Sequence, residues 1–377
     1  MQTTLLIYMA ADNDLDNFAE KDLETIKESS YDSDMNIVVQ FDRNEFVDAP
    51  NTVRLSIKNG EVLNEVDLGE TNTGDPDVLR SFIEESVEAY PSDKLIVIIW
   101  SHGSGVDDAD VYDTEHIRER YFVPEIEIEE IAVGFDDSAQ DFLDNLELQK
   151  ALDVSVNIDV LGFDACLMGM FEILYQLKDQ TSVMVASQHL EPASGWDYKR
   201  ILNELDTSST ASKMGQQFIA FHDEHHTNER RDVTQSALNT VVLDEVSKDL
   251  DVFARVLREE LKKGEQKQSR KDLEYTLRSS QFFNRKDYVD LVDFVRKVKN
   301  RLKLEALESH ADKLLSSLET LVLANHTIGY FMEDANGVSI YFPNESRPFK
   351  DTFEMYEKLD FVEACPNWVK LLKWYWL

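Results

Sequence analysis

Leu95-Ile96-Val97-Ile98-Ile99-Trp100 runs into Ser101-His102-Gly103-Ser104-Gly105, and Ile158-Asp159-Val160-Leu161-Gly162-Phe163 runs into Asp164-Ala165-Cys166-Leu167-Met168-Gly169. Each continuous apolar run reads as a strand buried on both faces, the signature of a parallel sheet. Ligands of open parallel sheets bind at the carboxyl ends of the strands. His102 and Cys166 each follow such an end, so an imidazole and a thiol are expected on one rim. A base beside a thiol is what activates a cysteine nucleophile.

Outward from these two runs, strand and helix signals alternate over the first 200 residues. Leu5-Leu6-Ile7-Tyr8-Met9 is another buried strand, followed by a helical pattern with Phe18, Leu23 and Ile26. Met35-Asn36-Ile37-Val38-Val39-Gln40-Phe41 is the next strand. Residues 52–58 and 61–67 alternate around Asn59-Gly60, a hairpin signal. Helices are predicted over 75–90, 146–153 and 167–178, and a strand over 182–186. Residues 106–132 are acidic and aperiodic and read as a long loop, which in a compact domain is functional or disordered. After about residue 205 helices dominate: 209–226, 246–263, 271–282, 286–302 and 304–324. Strand candidates at 237–243 and 338–342 interrupt them, and Pro366 opens a last aromatic helix. The expected division is 1–205 as the catalytic part and 206–377 as a mainly helical region whose two late strands could join the first sheet. Alternation of this kind means an α/β sheet with helices on its faces.

Four motifs occur in order: residues 5–15, LLIYMAADNDL; Trp100-Ser101-His102-Gly103; Asp164-Ala165-Cys166-Leu167-Met168-Gly169; and Glu191-Pro192-Ala193-Ser194-Gly195-Trp196-Asp197-Tyr198. Together they resemble the clostripain family of cysteine peptidases, in the caspase-like clan with gingipains, legumains, caspases and separases. Gly337-Val338-Ser339-Ile340-Tyr341-Phe342-Pro343 resembles a later strand of that family. The His-before-Cys order, 64 residues apart, is that of caspases, where the spacing is about 50, and the reverse of papain. The resemblance implies a caspase-like three-layer α/β/α sandwich with a mostly parallel central sheet. It also implies an endopeptidase cutting after Arg or Lys.

Cys166 is the expected nucleophile, helped by the helix predicted to start directly after it, because a helix N-terminus lowers a thiol pKa. His102 is the expected general base and acid. By resemblance, the backbone N–H groups of Gly103 and Cys166 form the oxyanion hole, and Asp164 binds the basic P1 side chain. Strand periodicity puts Asp164 on the same face as Cys166. Asp197 and Trp196 are further substrate-binding candidates, although Ala193 stands where the family often has glycine. Arg118 and Arg120 in the long loop are candidate self-cleavage sites, since relatives are commonly activated by cleavage between the His and Cys segments. The bland readings are a buried structural cysteine, a polar turn histidine and ordinary surface arginines. A serine hydrolase is ruled out by the absence of a Gly-x-Ser-x-Gly elbow. A catalytically silent relative that binds basic peptides keeps the fold but does not explain an intact His and Cys. An unrelated binding module does not explain four ordered motifs.

The chain of 377 residues carries 74 acidic and 38 basic side chains, a net charge of −36. That repels nucleic acid and anionic membranes, and no stretch approaches the ~20 apolar residues of a membrane span. Peptides or proteins with basic residues are the expected partners. Two cysteines, Cys166 and Cys365, exclude a disulfide framework. No cofactor or metal is required by this chemistry; calcium is left open, since no clear motif indicates it. Asp12-Asn13-Asp14-Leu15-Asp16 lacks the glycine and distal glutamate of a calcium loop, and reads as a helix cap with an acidic first turn. His222 and His226 share a helix face but lack the zincin order, and read as a solvated helix end. No signal-peptide pattern precedes Thr4, so the chain reads as cytoplasmic as written, or secreted if a leader was removed.

Overall fold

Strand β1 (Thr3–Ala11) is buried at all nine positions and sets the layering of the molecule. Its side chains alternate between two cores: Leu6, Tyr8 and Ala10 enter one, and Leu5, Ile7, Met9 and Ala11 the other. In the computed structural model, which describes residues 2–29, 35–106, 133–227, 231–343 and 353–376, helices cover both faces of the sheet built around this strand.

The sheet contains β1, β2 (Met35–Arg43), β3 (Thr52–Lys58), β4 (Glu61–Gly69), β5 (Lys94–Trp100), β8 (Ile158–Asp164), β9 (Thr181–Ala186), β10 (Val233–Asn239) and β12 (Val322–Ile328). Its order is β12-β10-β9-β8-β5-β1-β2-β3-β4. The five central strands run parallel, from β9 through β8, β5 and β1 to β2. The outer strands run antiparallel to their neighbours on both sides. Two small two-stranded antiparallel sheets, β6 (Val133–Asp136) with β7 (Asp141–Leu143) and β11 (Tyr288–Asp290) with β13 (Ser339–Tyr341), lie outside it.

One face carries α1 (Asp16–Glu28), α5 (Tyr198–Glu204) and α6 (Ala211–His226). The other carries α2 (Pro76–Ala89), α3 (Asn145–Leu152), α4 (Phe171–Gln176), α7 (Leu243–Lys263), α8 (Gln266–Ser279), α9 (Leu291–Leu302), α10 (Glu305–Leu321) and the C-terminal α12 (Pro366–Trp376), with α11 (Asp360–Ala364) leading into it. The α/β/α sandwich expected from alternation is therefore present, with the mainly helical C-terminal region packed largely on one side.

Several local expectations are corrected. Residues 322–324, expected as the tail of a helix, begin β12. The strand expected at 237–243 is β10 at Val233–Asn239, and helix α7 starts at Leu243. The 338–342 candidate does not join the main sheet but pairs with β11. Because β10 and β12 extend the sheet begun by the first 200 residues, the sheet itself runs across residue 205. The Asn59-Gly60 turn is as expected, with φ of 53° and 77°. Residues 107–132, with Arg118 and Arg120, lie outside the described residues.

Candidate active site

Strands β5 and β8 pair with a constant offset of 64 residues, from Ile96↔Val160 to Trp100↔Asp164. The ladder continues one step, with Ser101 N–H donating to the Asp164 carbonyl at 3.3 Å. Carried two residues past the strand ends, the same offset would pair His102 with Cys166. The backbones remain close beyond the strands: a Cβ built on Gly103 would collide with the Cys166 carbonyl oxygen and lie 3.1 Å from Cys166 N. Only glycine allows this approach.

Cys166 is half-buried, and its Sγ accepts the Glu191 N–H at 3.2 Å. The helix expected to start at residue 167 starts at Phe171, and it has only six residues. Leu167 adopts φ +62°. Its N–H donates to the His189 carbonyl at 3.1 Å and that of Gly169 to the Ser187 carbonyl at 2.6 Å. The chain after Cys166 is thus stitched to the 187–191 segment before it can wind up, and the helix N-terminus does not reach the thiol.

The His102 side chain is 22% exposed, with Nε2 2.7 Å from Asp14 Oδ1. Its ring stands edge-on to Phe135, centroids 6.3 Å apart. The hydrogen bond to His102 is the main cause holding the Asp14 carboxyl below the usual aspartate range. Asp14 was not singled out from sequence; it sits within the DND run of the first motif. That run gives the expected acidic first turn, Asp16 opening α1, but not the expected side-chain cap. Leu15 is the N-cap residue, with no side-chain cap, while Asp16 pairs with Arg43 at 3.1 Å. Asp12 accepts the N–H groups of Glu45 and Ser138 instead.

Three carboxylates gather beneath the 191–197 segment. Asp164 is 5% exposed, and its Oδ2 accepts Tyr198 Oη–H at 2.9 Å and Trp196 N–H at 3.3 Å. Burial, then the charge of Glu191, pushes its pKa up to about 7. Asp22, from α1, accepts the Trp100 indole N–H at 3.0 Å; burial, then Asp164, raises it to about 8. Burial also raises Glu191 to about 8. Gly195, at φ +53°, covers the pair: a Cβ there would fall 3.2 Å from Asp164 Oδ2 and 3.4 Å from Asp22 Oδ2. Among the described residues no lysine or arginine forms an ion pair with Asp164 or Asp22. Asp22 has no sequence signal, because only the tertiary fold carries helix α1 to this rim.

Trp196 contributes its backbone N–H to Asp164, but its indole is core, 4% exposed, packed on Gly162 and 5.4 Å from the Phe218 ring. Asp197 caps α5 by accepting Arg200 N–H at 3.0 Å, and lies 3.7 Å from His225 Nδ1. The expected solvated histidines are buried behind this segment: His222 is 3% exposed and His226 is 1% exposed. His226 Nε2 donates to the Gly195 carbonyl at 3.1 Å, and His222 Nε2 lies 3.4 Å from Glu191 Oε2. They brace the segment from α6. Cys365, also fully buried, has its thiol pushed well up by burial. Asp12, Glu70 and Asp136 bring carboxylate oxygens within 4.8 Å of one another. Both buried members turn their oxygens to backbone N–H donors, Asp136 to Thr73 and Ala139, so the group ties loops together.

Comparison with known proteins follows the same outline. The family model described as the clostripain family matches residues 7–376. Clostripain of Hathewaya histolytica is 25% identical over 440 aligned positions, covering 99% of this chain and 79% of clostripain. An inactive zymogen C11 protease from Parabacteroides distasonis shares the fold with a TM-score of 0.70 at 20% identity, over 96% of this chain and 97% of its own. A secreted C11 cysteine protease from Bacteroides thetaiotaomicron, solved with an irreversible peptide inhibitor, gives a TM-score of 0.67 at 20% identity, over 97% and 99%.

Proposed function

The chain belongs to the clostripain family and is a cysteine peptidase, and from that premise we propose that it cleaves peptide bonds after arginine or lysine with Cys166 and His102 as its dyad. The observation that supports the specificity is the group of buried carboxylates, Asp164, Asp22 and Glu191, of which the first two form no ion pair among the described residues; the charge of Lys21 only partly offsets the burial of Asp22. Desolvated carboxylates near one another hold their protons to higher pH, and a cation joining them stabilises the charged form. On this reading a P1 arginine or lysine brings that cation, and Asp164, two residues before Cys166, is its acceptor.

The chemistry runs through an acyl-thioester. The Cys166 thiol gives its proton to His102, and the sulfur attacks the scissile carbonyl carbon. The developing oxyanion is received by the backbone N–H groups of Gly103 and Cys166, donors worth ~10²–10³ in rate each. His102 then protonates the departing amine as the C–N bond breaks. Water, deprotonated by His102, hydrolyses the thioester and restores the thiol. None of these steps uses a metal or cofactor. Substrates are peptides or proteins, and the −36 net charge favours basic segments and disfavours nucleic acid. Trp196 and Asp197 serve the pocket indirectly, through a backbone donor and a helix cap. Arg118 and Arg120 are the proposed self-cleavage positions.

The test is labelling with a peptidyl acyloxymethyl ketone bearing arginine at P1. Mass spectrometry should place one adduct on Cys166, with none from the aspartyl analogue and none in Cys166→Ala. Adduct formation on another residue, or amidolysis retained by Cys166→Ala or His102→Ala, would overturn the dyad.

A further inference from the structure

We propose that Asp14 is the third member of the catalytic machinery, a positioning residue whose carboxylate fixes the tautomer and orientation of His102. The proposal rests on the dyad reading above. It starts from the 2.7 Å bond between Asp14 Oδ1 and His102 Nε2. An ionised carboxylate only accepts hydrogen bonds, so the neutral imidazole must carry its proton on Nε2. Nδ1 is then the lone-pair nitrogen, the atom able to take the thiol proton.

The loop that presents Asp14 is held from both sides. Asp12 is 0% exposed, bonded to the Glu45 and Ser138 N–H groups. Asn13 is 1% exposed, its amide donating to the carbonyls of Ala10 and Phe135 and its Oδ1 accepting Leu15 N–H. These neighbours anchor the loop, whereas the Asp14 side chain is 77% exposed and turned to the imidazole. Because β1 and β5 are adjacent parallel strands, the loop after β1 and His102 after β5 meet on the same rim. The largest interaction of the Asp14 carboxylate is with His102, while its neighbours do the anchoring.

The function follows from the proton's path. Sγ–H passes its proton to Nδ1, and Nδ1–H passes it on to the leaving nitrogen as the C–N bond breaks. During that interval the ring is an imidazolium held by the Asp14 charge. Water returns the proton during deacylation, leaving thiol and neutral imidazole. An amide leaving group needs that proton; a p-nitrophenolate does not. Asp14 should therefore matter most for amides.

The experiment compares the peptidyl-arginine alkylamide and p-nitrophenyl ester of one acyl group, using the full chain and its Asp14→Asn and Asp14→Glu variants. Asp14→Asn should lower kcat/KM for the amide ~10–100-fold, the size of one charged hydrogen bond, and that for the ester at least tenfold less. Inhibition by benzamidine, which probes the basic-residue pocket alone, should stay within about twofold. Asp14→Glu should recover a large part of amidolysis by restoring the charge. Equal losses on amide and ester, or no loss on either, would overturn the role of Asp14 while leaving the dyad standing. Turnover persisting in Cys166→Ala would overturn the dyad and this role with it.

Discussion

Replacing Asp164 with asparagine should weaken catalysis and strengthen the fold at once. The carboxylate is 5% exposed, and its pKa is raised to about 7 by burial and then by Glu191. An unfolded aspartate titrates near about 3.9. Between those values the folded chain holds a proton that the unfolded chain has released. Stability therefore falls as pH rises through this window, by an upper bound of about 4 kcal/mol, and stays at the lower level above it. Asparagine removes that penalty. Its carbonyl can still accept from Tyr198 Oη and Trp196 N–H, which both donate to Oδ2, and its amide would face the remaining carboxylates. Asp164→Asn should match wild type near pH 4 and melt a few degrees higher at pH 8. Removing one partner of a buried ion pair costs about 3 kcal/mol, so kcat/KM on an arginyl amide should fall roughly two orders of magnitude. In the wild type, a carboxylate neutral below about 7 binds a cation poorly. Inactivation by a basic acyloxymethyl ketone, divided by that by uncharged iodoacetamide, should rise with pH through about 7 and level off; the ratio should be flat in the variant. Differential scanning fluorimetry and the two inactivation profiles are the assays. A variant that melts below wild type at pH 8, or that retains full arginyl amidolysis, would refute the reasoning.

Tyr198→Phe removes a hydrogen bond that lowers the Asp164 pKa, so the same inactivation ratio should rise at higher pH than in wild type; an unmoved limb would count against Asp164 as the titrating group. Gly103→Ala places a methyl against the Cys166 backbone and should cut kcat at least ~100-fold by displacing an oxyanion donor; near-normal kcat in a folded variant would remove Gly103 from that role. Arg118 and Arg120 predict that prolonged incubation yields fragments of about one third and two thirds of the chain. New N-termini should appear at Glu119 or Tyr121, absent in Cys166→Ala, and a fully active enzyme that stays uncut would show that cleavage is not its switch.

What the chain reveals about itself depends on whether the signal is local. β1, β5 and β8 are legible because strands buried on both faces are continuous apolar runs. β12 is not, because an antiparallel edge strand is half-exposed along its length, and Val322-Leu323-Ala324 extends the apolar rhythm of helix α10. The helix after Cys166 looks longer in sequence than it is: hydrogen bonds from Leu167 and Gly169 to a segment some 20 residues away take the place of its first turn. Buried histidines on α6 look solvated for the same reason, since their partners Glu191 and Gly195 arrive from another loop. Asp22 is one acidic residue among 74 until α1 packs on the sheet.

The central pair is different, because its geometry is encoded as a number. In two parallel strands paired without a bulge, the spacing between facing residues equals the register offset. Here both are 64, as separation from His102 to Cys166 and as every β5–β8 pair from Ile96↔Val160 to Trp100↔Asp164. Since side chains alternate faces with period two, a slip by one residue would turn Asp164 away from the face that Trp196 and Tyr198 cover and carry Cys166 past Gly103. The apolar runs that specify the register thus also set Cys166 and Asp164 against the end of β5 that leads into His102, the alignment that the proposed dyad and P1 pocket require. Inserting one residue into β8 should accordingly abolish turnover even where the sheet still forms.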